Sequence, residues 1–193
     1  YPPTDEEGWS GLQTFVRELT IRKGKLYQTP VRGFESLKKD ELFCAKNGEI
    51  ISDKLHGQMP SSAIIRIENP DTESLDLNLF SRNHVIARGF AISYEKYTKR
   101  LRIDRSDLTN QLNVEYGTDR QIILENGLTS MDIFVDHSTV EIFVNEGEYV
   151  LSARIFPTKE EHMIRMGGKN LNLSIWSTEP SVDDAPVFFA ENQ

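Results

Sequence analysis

Residues 130–156 read SMDIFVDHSTVEIFVNEGEYVLSARIF, and three alternating runs stand inside them. Met131, Ile133 and Val135 share one parity. Val140, Ile142 and Val144 share the next, and Tyr149, Leu151, Ala153 and Ile155 the third. Apolar residues at every second position, β-branched or aromatic, describe strands with one buried face. Asp136-His137-Ser138-Thr139 separates the first two runs, and Asn145-Glu146-Gly147-Glu148 the second and third. If both connections are hairpins, Val135 pairs with Val140 and Val144 with Tyr149. All three apolar sets then fall on one face of a meander, and a slip of one residue would turn each set into water. Pro157 stops the third strand.

The same pattern extends outward. Strands are expected at 62–68, 75–80, 85–94, 99–104, 120–125 and 170–177, and 12–21 and 25–31 flank the turn signal Lys23-Gly24. Only 31–39 shows helical spacing, at Val31, Phe34, Leu37 and Lys38. Many short strands between turns imply an all-β, two-sheet antiparallel β-sandwich of the jelly-roll, concanavalin-like type. Residues 1–8 and 179–193 are rich in proline and acid, although Val187, Phe188 and Phe189 give the second stretch something to dock with.

The chain has 193 residues and a mass of 22.1 kDa, the size of one domain that builds its own core. Hydrophobic residues make up 38% and charged residues 27%, which excludes wholesale disorder. The net charge of −8 argues against nucleic acid and anionic membranes as partners. No apolar run approaches the ~20 residues of a membrane-spanning helix, and no basic-then-apolar start suggests a leader. A single cysteine, Cys44, excludes a disulfide framework and a multi-cysteine zinc site, and four scattered histidines show no ligand spacing. No metal and no cofactor is expected.

Several features invite a chemical reading. Asp136-His137-Ser138 has the residue types of a hydrolase triad, but a triad converges from distant positions, and consecutive residues of a tight turn point apart. Asp132 and Glu141 are the sort of acid pair that two facing strands produce. In the expected register Glu141 also lies near Arg154, so a solvated cross-strand ion pair is the preferred reading. Residues 95–105 hold five bases among two acids, yet Leu101 and Ile103 alternate with Arg100, Arg102 and Asp104, as on the outer face of one strand. Gly167-Gly168-Lys169 lacks the spacing of a phosphate loop and reads as a hairpin turn. Cys44 reads as a buried structural thiol. Asn172-Leu173-Ser174 matches a glycosylation pattern but sits inside an expected strand. Trp176 reads as core. Trp9, in a polar glycine-flanked stretch, offers a flat apolar face of the kind sugars stack on.

Two sets of motifs go further. The first is Gly8-Trp9-Ser10-Gly11, then Arg17-Glu18-Leu19, then Gly24-Lys25-Leu26-Tyr27-Gln28-Thr29-Pro30-Val31. The second is Ile103-Asp104-Arg105-Ser106, then the run from Phe134 to Gly147, then Arg154-Ile155-Phe156-Pro157. In this order they resemble the C-terminal part of a glycoside hydrolase family 32 β-fructosidase, from about residue 1 to residue 178. The resemblance implies a preceding five-bladed β-propeller that carries the aspartate nucleophile, the stabilising aspartate and the acid/base glutamate. None of their motifs occurs here, so no catalytic residue is assigned to this chain.

On that resemblance, residues 1–30 are the terminal strands of the truncated propeller and the start of a linker, 31–39 a linker helix, 40–178 the sandwich and 179–193 an extension. Trp9 is the one candidate for substrate contact. The expected partner is the N-terminal propeller of the same polypeptide, with homo-oligomers possible and a small sugar bound only in the full enzyme. The absence of disulfides points to a bacterial cytoplasmic setting and to sucrose or sucrose 6-phosphate. Leu12, Phe15, Val16, Leu19 and Ile21 are expected on a face left without its natural cover. The alternatives are a stand-alone carbohydrate-binding, lectin-like module, with Phe134 and Phe143 as aromatic platforms, and a purely structural assembly domain.

Overall fold

Strand pairing in the computed structural model follows the register set by the alternation. The structure describes residues 4, 6, 8, 11–45, 59–68, 71–82, 88–168 and 170–179. In the meander, β9 (Ser130–Asp136), β10 (Thr139–Val144) and β11 (Tyr149–Arg154) pair antiparallel, with Val135 opposite Val140 and Val144 opposite Tyr149. Asn145, Glu146 and Gly147 turn the second hairpin with φ of 51°, 56° and 83°. Asn145 fixes that turn through its side chain: Oδ1 accepts from Thr129 N at 2.8 Å, and Nδ2 donates to Gly127 O at 2.8 Å.

Three further strands extend this sheet to the order β11-β10-β9-β4-β13-β3, with β3 Lys38–Ala45, β4 Ala63–Glu68 and β13 Asn172–Thr178. A second sheet has the order β12-β5-β6-β7-β8, with β5 Ser74–Ser81, β6 Phe90–Glu95, β7 Arg100–Asp104, β8 Asp119–Ile123 and β12 Met163–Gly167. Every pairing is antiparallel. The inner faces meet in one core: Ile65, Ile67, Met131, Ile133, Ile142 and Leu173 from the first sheet, and Leu77, Leu79, Phe90, Ile92, Leu101 and Ile164 from the second. Each such side chain stabilises the sandwich by about 1.5–3 kcal/mol of hydrophobic transfer.

Residues 15–37 form a third layer. The strands β1 (Arg17–Arg22) and β2 (Lys25–Pro30) make a two-stranded sheet of their own, joined at Lys23 and Gly24, both with positive φ as a two-residue hairpin requires. The helical spacing at 31–39 is realised as a single 3-10 turn, Phe34–Leu37, entered through Gly33 at φ 90°. Lys38 already opens β3, opposite Thr178, which ends the helix.

Three expectations change. Gly167-Gly168 does not close a hairpin, because β12 and β13 belong to different sheets. Met166 and Leu173 both enter the core from opposite sides, so the connection crosses the sandwich edge. Cys44 is exposed on the edge strand β3, where it accepts from Ser174 Oγ at 3.6 Å. Trp176 points away from the main core into a smaller cluster on the outer face of the six-stranded sheet, with Lys38 Nζ 3.7 Å from its ring centre. Residues 180–193, including the aromatic pair at 188–189, lie outside the described residues.

Candidate functional site

The outer face of the six-stranded sheet is where side chains of chemical interest converge. Ile64 of β4, Phe134 of β9 and Phe143 of β10 point outward there, because their neighbours of opposite parity fill the main core. Phe15, Phe34, Leu37, Val150 and Trp176 cover them. Phe15 stacks on Phe134 with ring centres 4.4 Å apart, while Phe34 and Phe143 meet Phe134 edge-on at 5.3 and 5.5 Å. Phe134 is 7% exposed and Phe143 2%. They face neither the second sheet nor solvent, so they supply no sugar platform.

Glu141 is buried beside this cluster, and its carboxylate links three segments. Oε1 accepts from the Phe15 backbone N–H, and Oε2 from Arg17 Nη2 at 2.6 Å and from Ser152 Oγ at 3.4 Å. Arg17 also donates to Ser152 Oγ at 2.9 Å and to Gln28 Oε1 at 3.1 Å. The expected solvated pair with Arg154 is therefore not formed: Arg154 lies opposite Thr139, and Glu141 opposite Ser152. The amino-terminal segment brings its own cation to the sheet instead.

Asp132 is likewise engaged, accepting from Arg66 Nε at 2.7 Å, while Arg66 Nη2 reaches Glu35 at 2.7 Å. Burial raises the pKa of Glu35, but hydrogen bonds from Lys38 and Arg66 lower it further, leaving it below the ordinary glutamate value. Both members of the candidate acid pair thus sit in ion pairs with arginines, the opposite of a pair poised to give and take protons across a sugar bond. A groove of about 450 Å³ runs along this seam, lined among others by Phe15, Val31, Phe34, Asp136 and Glu141.

Asp136-His137-Ser138 is a turn. Asp136 Oδ1 accepts from the His137 backbone N–H at 2.8 Å and lies 2.9 Å from His137 Nδ1, both side chains being exposed. The basic run packs as expected, with Leu101 and Ile103 buried and Arg102 paired to Asp104 and Asp119 at 2.9 and 3.0 Å. Among the described residues no group of His, Cys, Asp and Glu could hold a metal ion, and no helix is long and apolar enough to cross a membrane. Trp9 lies outside the described residues.

Two arrangements escaped sequence reasoning. One is the Arg17–Glu141 link, which spans 124 residues. The other is a second cleft, of about 500 Å³, where Arg105, Arg120 and Arg154 come together. No local pattern signals either.

Comparison with known proteins places this geometry. The family model described as glycosyl hydrolases family 32 C terminal matches residues 34–177. Sucrose-6-phosphate hydrolase of Staphylococcus xylosus is 34% identical over 157 residues, covering 80% of this chain and 31% of its own length. The Streptococcus mutans protein of the same name is 30% identical, covering 86% of this chain and 33% of its own. The structure of sucrose-6-phosphate hydrolase from Lactobacillus gasseri superposes with a TM-score of 0.78 at 28% identity, over 93% of this chain and 36% of that one. The chain therefore spans about a third of the length of the relatives it matches.

Proposed function

Because this chain belongs to glycoside hydrolase family 32 and matches its C-terminal domain, we propose that it is the non-catalytic β-sandwich of an enzyme that hydrolyses the fructosyl bond of sucrose or sucrose 6-phosphate. The names of the relatives favour the phosphorylated substrate. In this reading residues 1–30 are the last strands of a preceding propeller and the start of the linker, 31–39 complete the linker, and 40–178 are the sandwich, followed by an extension at 179–193. The sandwich supports the propeller and offers surface for oligomers, and Trp9 belongs to the sugar-contacting side of the propeller. The exposed thiol of Cys44 fits a reducing, cytoplasmic setting.

One observation carries the reading. The β1–β2 hairpin forms a sheet by itself, yet Leu19, Ile21 and Leu26 share its outer face and are 64%, 76% and 51% exposed. Leu12 and Val16 are exposed beside it, whereas Phe15 is covered by the stacking on Phe134. An isolated two-stranded sheet is marginal in water, and an apolar face on it calls for another layer. The remainder of a propeller blade supplies both the missing strands and that layer.

The test uses the purified 193-residue chain. It should release no fructose from sucrose or sucrose 6-phosphate, and light scattering at high concentration should give a mass above 22.1 kDa as the apolar hairpin faces find each other. Hydrolysis that copurifies with the chain and disappears in Glu141→Gln or Asp132→Asn would overturn the non-catalytic assignment. A strictly monomeric chain would remove the argument from the hairpin.

A further inference from the structure

The second cleft opens between the edge strands of the two sheets. Ser152, Ala153 and Arg154 of β11 form one wall. Arg105, Gly117, Thr118 and Arg120, from the connection between β7 and β8 and the start of β8, form the other, and Phe90 and Ile103 give it an apolar floor. Among its described lining residues there is no aspartate or glutamate, in a chain with a net charge of −8.

The acids nearest in sequence are turned elsewhere. The carboxylate of Asp119 takes Arg102 at 3.0 Å, and that of Asp104 takes Arg102 at 2.9 Å and the Ser106 backbone N–H at 2.9 Å. Arg120 donates to the backbone carbonyls of Asp119 and Tyr116 at 2.6 and 3.1 Å, and Arg105 to that of Gly117 at 3.4 Å. Arg105 and Arg120 thus reach backbone carbonyls, whereas Arg17 pairs with Glu141, Arg66 with Asp132 and Arg82 with Asp107. Burial, and then the charge of Arg120, push the Arg105 guanidinium below its usual range, so these two cations sit close enough to repel. Folding holds them together against that repulsion, and an anion in the cleft relieves it.

We propose that this cleft binds a phosphate group, carried by a small sugar phosphate or free as the inorganic ion, through Arg105 and Arg120 with Arg154 alongside. Guanidinium forks match phosphate oxygens, and two of them with the Thr118 hydroxyl offer the donors a dianion takes. The volume suits a ligand of one or two sugar rings. The inference rests on the cleft alone and does not depend on the catalytic assignment above.

Titration calorimetry at low ionic strength tests it, with inorganic phosphate, glucose 6-phosphate and sucrose 6-phosphate as probes and sodium chloride as control. The chain is used alone and within any longer polypeptide its gene encodes. Saturable phosphate binding is expected in both. Because Arg120 is exposed, Arg120→Gln should keep the fold and weaken binding by about tenfold or more. Arg105→Gln with Arg120→Gln should abolish it, and Arg100→Gln, on the outer face of β7, should leave it unchanged. Affinity for the sugar phosphates should rise several-fold as the phosphate monoester takes its second charge at about pH 6. Tighter binding of the sugar phosphates identifies them as the ligand, and equal binding identifies the free ion. No saturable binding, or an equal loss in Arg100→Gln, would overturn the proposal. Binding by the isolated chain that vanishes in the longer polypeptide would do so too, since the cleft would then dock a carboxylate of the same protein. If the double variant fails to fold, Arg120→Gln alone decides.

Discussion

Arg17→Ala is expected to destabilise the chain by about 3 kcal/mol, because it strips the main counter-charge from a carboxylate that stays buried. Glu141 is 4% exposed and would keep only the Phe15 N–H and the Ser152 hydroxyl as donors. Glu141→Gln should cost less, about 1–2 kcal/mol, since the amide still accepts from Phe15 and Arg17, with 20% of its side chain exposed, regains water. Replacing both, as Arg17→Met with Glu141→Leu, should recover much of the loss, because two desolvated charges are exchanged for apolar area. Urea unfolding of the four proteins gives the coupling directly. An Arg17→Ala change within about 0.5 kcal/mol of the parent would mean the segment is held by its phenylalanines alone.

Gly147→Ala should detach the β1–β2 hairpin from the sandwich. Gly147 sits at φ 83°, and its carbonyl accepts from Gln28 N at 2.9 Å. A Cβ built there would lie 2.2 Å from Gln28 O and 2.6 Å from its carbonyl carbon. Those are backbone atoms and no rotamer moves them aside, so β2 must retreat. Strain at positive φ and the lost contact together cost about 3 kcal/mol. Hydrogen exchange should show it locally: the Gln28 amide loses protection and protease cuts between Arg17 and Pro30, while the amides of β9 and β10 hold. Unchanged protection at Gln28 would show that the hairpin does not depend on this approach.

These two changes probe one design, in which residues 15–37 act as a strap. Its phenylalanines cover the outer sheet face, Arg17 neutralises Glu141, and Gln28 bonds to the β10–β11 turn. Lys25 reinforces that end through Glu125 and Glu148.

The meander was legible because its information is local. Alternation marks the faces, four-residue connections set the register, and Val135–Val140 and Val144–Tyr149 follow. Sheet order was not legible, since β4 enters between β9 and β13 through pairings that no neighbouring residue announces. Strand β3, KKDELFCA, was missed because a charged, mostly exposed edge strand lacks the apolar rhythm of a buried one. Alternation also misleads where both faces are covered. Phe134, Phe143 and Ile64 have outward parity, yet the strap buries them. The arginine cleft is assembled from β6, β7, β8, the β7–β8 connection and β11, and only the folded chain brings these together.

The central claim, that this sandwich serves a larger fructosidase, is tested most directly by reading the gene upstream of the codon for Tyr1. The account predicts an open reading frame that continues for several hundred codons and contains the aspartate and glutamate motifs absent from this chain. A start codon immediately upstream would contradict it and leave a domain that acts alone, through its own surfaces.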